Sequence, residues 1–158
     1  KNRVRVYGFD TTRKRLAGVA PETRLAAADY SAEATRRTYA AVGDEARDVL
    51  AAGRTVIADA VFARPEERAA IAAVAAAAGV PFQGLWLEAD PAVLERRGQE
   101  GRGEISHATL GILQMRPQLR QGALDLGEIE WHHLSSCGTE EDTLRAATGL
   151  LDVEPQSP

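Results

Sequence analysis

Short apolar segments alternate with helix-forming stretches along the whole chain, and this limits the fold more than any other feature. Val4 and Val6 alternate with Arg3 and Arg5, the two-residue period of a strand with one wet face, at a sheet edge. Thr55-Val56-Ile57-Ala58 is a continuous apolar run, the kind buried on both faces of a parallel sheet. Phe82 to Glu88, with Leu85-Trp86-Leu87 at its centre, is a third strand. Ile129, Trp131 and His133 alternate with Glu130, His132 and Leu134 in a fourth.

Helix signals fill the intervals. Asp10 stands in a helix-opening position and Gly18 in a stop. Ser31 is the expected N-cap of a long helix ending near Gly53. Pro65, Glu66 and Glu67 open a helix that Gly79 closes, and Pro91 opens a shorter one through Arg97. Gly98 to Glu104 reads as a loop, Ser106 to Leu119 as a helix interrupted by Pro117, and Thr139 with Asp142 as a capping box before the last helix. The order predicts a three-layer α/β fold with a mainly parallel sheet over residues 1–152, and a disordered tail over 153–158.

Composition narrows the class. Of 158 residues, 44% are apolar and 27% charged, as in ordinary globular domains, and no apolar run approaches the length that spans a bilayer. A lone cysteine, Cys137, excludes an internal disulfide framework and points to a reducing, cytoplasmic setting. The net charge of −4 argues against a dedicated nucleic-acid face. Alanine occurs 29 times and arginine outnumbers lysine 17 to 2, a bias of the coding sequence that deprives scattered arginines of meaning by themselves.

In parallel α/β folds ligands bind beyond the carboxyl ends of strands, where Asp10 and Asp59 stand. Arg13 follows Asp10 by three residues, so both side chains are expected to point from the first helical turns to one crevice. A carboxylate there can orient a substrate hydroxyl or take its proton, and a guanidinium can hold an anionic group; Asp10 as a plain helix cap explains the same spacing. Asp59 can hold a magnesium ion or its water, or serve only as a strand-end turn residue. Arg96, Arg97 and Arg102 lie in or beside the glycine-bearing loop. His107, His132, His133 and Cys137 have no ligand spacing or catalytic motif and read as structural.

Three segments together resemble P-loop small-molecule kinases of the nucleoside-kinase-like type. They are Asp10-Thr11-Thr12-Arg13-Lys14-Arg15-Leu16, Val56-Ile57-Ala58-Asp59-Ala60-Val61-Phe62-Ala63-Arg64-Pro65, and Leu85-Trp86-Leu87-Glu88-Ala89 with Arg97. The likeness runs from about Val4 to Leu151 and is nearest to AAA-family ATP-binding domains found C-terminal to aminoglycoside-phosphotransferase-like domains. It implies ATP and Mg²⁺ as cofactors and a small-molecule hydroxyl as acceptor. Asp10 would activate or bind the acceptor, Arg13 would hold it, and Asp59 would be the acid beside the phosphate loop and the metal. Arg97 and Arg102 would belong to a lid, about residues 97–106, near the ATP phosphates. His107 and Gly101 depart from the pattern, since relatives often carry an acid and an arginine there.

One element of the resemblance is missing. A Walker A loop, G-x-x-x-x-G-K followed by Ser or Thr, cradles phosphates with its backbone amides and lysine. Lys1 precedes Asn2 and Lys14 has no glycine framework, so the motif does not occur here. With Lys1 in place of an initiating methionine, the chain is expected to be a truncated kinase domain whose first strand, P-loop and first helix lie upstream. The strands at Thr55–Asp59 and Phe82–Glu88 are then expected about 10 Å apart around a slot, or paired directly at about 4.8 Å. The leading expectation is the acceptor-binding and lid portion of an ATP-dependent phosphotransferase, inactive alone. An ATPase domain coupled to a neighbouring phosphotransferase domain, or a non-catalytic binding module that has lost nucleotide binding, are the alternatives.

Overall fold

The computed structural model describes residues 4–100, 129 and 131–151. Two compact units divide the chain, residues 1–82 and 83–158.

In the first unit, strand β1 (Arg5–Gly8) leads into helix α1 (Phe9–Leu16), a 3-10 turn (Ala27–Tyr30), helix α2 (Ala32–Ala51), strand β2 (Val56–Asp59) and helix α3 (Pro65–Ala77). β1 and β2 are parallel, with Val6 opposite Ile57 and Gly8 opposite Asp59. The expected boundaries hold where the local chemistry is strong. Ser31 caps α2 by accepting the Ala34 N–H, Pro65 occupies the first turn of α3, and Gly18, Gly53 and Gly79 take the left-handed backbone that ends three helices.

α2 organises this unit. Its buried residues Thr38, Val42, Ala46 and Val49 recur at four-, four- and three-residue steps, which places them on one stripe. That stripe packs against both strands and the flanking helices α1 and α3. The Thr38 hydroxyl, buried with it, donates to the Ala34 carbonyl at 2.8 Å, so the polar group carries no unmet hydrogen bond.

The expected burial of β1 and β2 is corrected. Tyr7, Val56 and Ala58 are half-buried, whereas Val6 and Ile57 are 63% and 50% exposed, so β2 is not covered on both faces. The reason is one-sided packing: α2 covers one face, and strand alternation turns Val6 and Ile57 to the other.

The second unit contains β3 (Gly84–Glu88), helix α4 (Pro91–Glu100), β4 (Trp131–Ser135) and helix α5 (Glu140–Leu150). β3 and β4 are parallel, with Gly84 opposite Trp131 and Glu88 opposite Ser135. α5 begins with the expected capping box, Thr139 accepting the Asp142 N–H while Asp142 accepts the Thr139 N–H. These hydrogen bonds, that of the Thr139 hydroxyl foremost, lower the Asp142 pKa. α4 continues through Glu100, so residues 98–100, expected in a loop, are helical; a single glycine costs a helix only about 1 kcal/mol. The 101–128 stretch, with the expected helix from Ser106 and most of the lid, lies outside the described residues, as does the tail from 152.

Among the described residues the strands pair in parallel, β1 with β2 and β3 with β4.

Gly84 is required by close approach. A Cβ there would overlap the Trp131 ring, which itself meets Trp86 edge-on at 6.3 Å between centroids. Gly84→Ala is expected to destabilise the second unit by about 1–3 kcal/mol, the usual cost of overpacking. Both tryptophans of the chain lie in this unit, so a fluorescence-monitored urea transition reads the loss directly.

Candidate active site at the strand ends

Parallel pairing sets the carboxyl ends of β1 and β2 side by side and puts Asp59 next to Gly8. Gly8 is the N-cap of α1 and offers no capping side chain, so the first amides of that helix receive no side-chain cap. An open cleft of about 460 Å³ lies here, lined by Gly8, Thr11, Thr12, Arg15, Glu45 and Asp59 among others. Its volume falls in the range of small-molecule sites. Glu45, from α2, pairs with Arg15 and accepts from the Thr12 hydroxyl at 3.5 Å, tying α1 to α2 along one wall.

Asp10 and Arg13 are both on α1, as expected, but their side chains separate. Asp10 is a first-turn residue and not the cap. Its carboxylate is 55% exposed and meets Lys14 at 3.2 Å, one helical turn on. Lys14 also donates to the Pro21 carbonyl at 2.6 Å. Arg13 turns instead onto two aromatic rings, its Cζ lying 4.6 Å from the Phe9 centroid and 5.0 Å from that of Tyr30. Nη2 donates to the Thr35 hydroxyl at 3.3 Å, and Nε is buried with no hydrogen-bond partner among the described residues. Arg13 also lines a cavity of about 50 Å³ with Arg37, Asp29 and Thr38. Three residues of spacing set the two side chains on adjacent positions of the helix surface; Thr35 on α2 and Tyr30 of the 3-10 turn draw Arg13, while Asp10 pairs with Lys14 on α1 itself.

Asp59 is exposed and lines the large cleft. No cluster of three or more His, Cys, Asp or Glu side chains exists among the described residues, so an all-protein metal cage is not formed by them. One exposed carboxylate on a cleft that Thr11 and Thr12 also line fits a magnesium ion held mainly by water and substrate phosphates, which needs few protein ligands.

Arg97 lies on α4, and its Nη2 donates to the Gly138 carbonyl at 2.9 Å, bracing the turn after β4. Arg102 lies outside the described residues. His133, midway along β4, brings Nδ1 to 2.9 Å from Oε1 of Glu88 at the end of β3. Ser136 donates to the Glu88 carbonyl through both N–H, at 2.7 Å, and hydroxyl, at 3.0 Å. Cys137 Sγ accepts the Asp90 N–H at 3.3 Å. These contacts hold two strand-end turns together.

Sequence reasoning missed one assembly. The loop after Asp59 carries Phe62 with φ +45°, a left-handed conformation costing about 1–3 kcal/mol in a bulky residue. The Tyr39 hydroxyl accepts the Phe62 N–H at 3.0 Å, and the guanidinium of Arg68, 1% exposed, donates to the Phe62 and Ala63 carbonyls at 2.9 and 3.1 Å. Burial, reinforced by the Glu67 carboxylate, pushes the Tyr39 pKa above the ordinary tyrosine range. Arg68 was hidden by the arginine-rich composition; its place in an alanine-rich helix was the available signal.

Parallel strands with helical crossovers, an acid at one strand end and an uncapped helix start at the other are the frame of an α/β ligand-binding domain. The chain belongs to the AAA domain family, whose model matches residues 4–114, and so to the P-loop NTPase-like proteins with nucleotide-binding kinase or ATPase function. No curated protein and no solved structure matches it. Among the described residues no helix is long and apolar enough to cross a membrane.

The raised Tyr39 pKa predicts an alkaline limit. Where the unfolded chain has released this proton and the native chain has kept it, the native state binds more protons, so stability falls as pH rises above about 10. Urea unfolding between pH 9 and 11, tyrosine's ordinary range, is expected to show a steeper loss in the wild type than in Tyr39→Phe.

Proposed function

We propose that this chain is the acceptor-binding and lid portion of an ATP-dependent phosphotransferase acting on a small-molecule hydroxyl. The observation that carries the reading is the placement of Asp59 beside Gly8 and the start of α1, at the strand ends of a chain that matches the AAA domain family. The absence of a Walker A motif from the sequence supports a phosphate cradle contributed by chain outside residues 1–158, with an aminoglycoside-phosphotransferase-like domain as a candidate neighbour. The setting proposed is cytoplasmic.

Asp10 is exposed enough to meet an acceptor hydroxyl, and Lys14, 3.2 Å away, orients its carboxylate to receive the hydroxyl proton. Arg13, stacked on Phe9 and Tyr30, presents a guanidinium with little orientational freedom for binding the acceptor. In the proposed transfer the acceptor oxygen would form its bond to the γ-phosphorus as the bond to the β–γ bridging oxygen breaks and ADP departs, and Asp10 would take the hydroxyl proton. Mg²⁺, when bound, offsets the charge of the phosphates, and Asp59 would hold one of its waters. Arg97 and Arg102 would stabilise charge on the transferring group and exclude water; for Arg97 this requires release from the Gly138 carbonyl.

Residues 1–158 alone are expected to transfer no phosphoryl group. In a protein that includes the phosphate loop, Asp10→Asn is expected to lower acceptor phosphorylation by about 10²–10⁴-fold while ATP hydrolysis persists. Equal loss of both activities, or hydrolysis with no acceptor in a broad screen, would favour an ATPase coupled to its neighbour. A natural coding sequence with no Walker A motif upstream would favour a non-catalytic binding module.

A further inference from the structure

We infer that Tyr39 and Arg68 are positioning residues that clamp the loop after Asp59 and couple it to α1, so that the acceptor arginine and the strand-end carboxylate are set by one packed assembly. The role in phosphoryl transfer rests on the function proposed above; the coupling itself does not.

The contacts form a continuous path. Arg68, buried on α3, grips the carbonyls of Phe62 and Ala63 at 2.9 and 3.1 Å. Phe62, three residues beyond Asp59, keeps its φ of +45° because its N–H and its carbonyl are held at the same time, the N–H by Tyr39 at 3.0 Å. The Phe62 ring lies 5.5 Å from that of Tyr39, and the Tyr39 ring 4.4 Å from that of Phe9, the first residue of α1. Arg13 then stacks on Phe9 at 4.6 Å. An unfavourable backbone conformation persists only where its surroundings over-determine it, and such conformations gather at functional loops. Here the restraint comes from two helices, α2 through Tyr39 and α3 through Arg68. A chain of packed groups is a route for coupling only if perturbing one end is felt at the other.

Residues 1–158, labelled with ¹⁵N, provide the test. Tyr39→Phe keeps the ring contacts and removes the acceptor for the Phe62 N–H. Exchange of that amide with solvent is expected to accelerate about tenfold, the effect of losing one buried hydrogen bond. The Arg13 Nε–H signal, reporting a buried group with no hydrogen-bond partner among the described residues, is expected to shift in the same variant. Arg68→Met should also shift it, Arg68→Lys should partly restore it, and the shifts of the Tyr39→Phe/Arg68→Met pair should not add. Faster Phe62 exchange with an unmoved Arg13 signal would make the clamp a local brace and overturn the proposal. If Arg68→Met does not fold, Tyr39→Phe decides alone. In a protein carrying the phosphate loop, Tyr39→Phe is expected to lower kcat about tenfold or more with the KM for ATP changed less than about twofold. A loss confined to thermal stability would remove the positioning role, whereas a wild type with no transferase activity would sink the proposed function and leave the Arg13 shift to decide the coupling.

Discussion

Parallel pairing is the constraint on which both units depend. Two parallel strands cannot be joined by a hairpin, so each pair needs a long crossover, and both carboxyl ends finish at the same edge. In the first unit that edge sets Gly8 against Asp59 and makes α1 start beside the second strand's acid. In the second unit it sets Glu88 against Ser135, which explains the turn contacts of Ser136 with the Glu88 carbonyl. Chemistry at strand ends is thus a consequence of topology before any particular side chain is considered.

The crossover helix does more than close the first unit. α2 presents Thr38, Val42 and Ala46 at 1% exposure to the sheet side. From adjoining turns it sends Thr35 to Arg13, Tyr39 to Phe62, and Glu45 to Thr12 and Arg15. The same helix that supplies the apolar stripe therefore fixes the polar wall of the cleft. This dual role accounts in part for the different partners of Asp10 and Arg13: the arginine reaches Thr35 on α2 as well as the Phe9 and Tyr30 rings, and the aspartate meets Lys14 on α1 itself.

Buried arginine is costly unless its donors are met. Arg68 meets, through Nη1, both carbonyls of a loop that would otherwise turn two acceptors inward. Such an arrangement makes the loop after Asp59 a rigid part of the scaffold. Asp59 itself stays exposed at the cleft, free to interact with a ligand while the chain behind it is fixed.

Element order and most helix ends were determined by the sequence alone, because caps, prolines and left-handed glycines act within a few residues: Ser31, Pro65, Thr139, Gly53 and Gly79 do in the structure what local chemistry requires. The positions of Asp10 and Asp59 at strand ends were legible for the same reason. What faced what was left to the tertiary structure. Burial on both faces of β2 could not be read from an apolar run, since exposure of Ile57 depends on which face α2 covers. The parting of Asp10 from Arg13, the recruitment of Glu45, and the grip of Arg68 on Phe62 all join residues distant in the chain or hidden in a biased composition. Only folding brings their donors and acceptors within hydrogen-bond range, and that proximity, not residue type, decides which charges become part of a site.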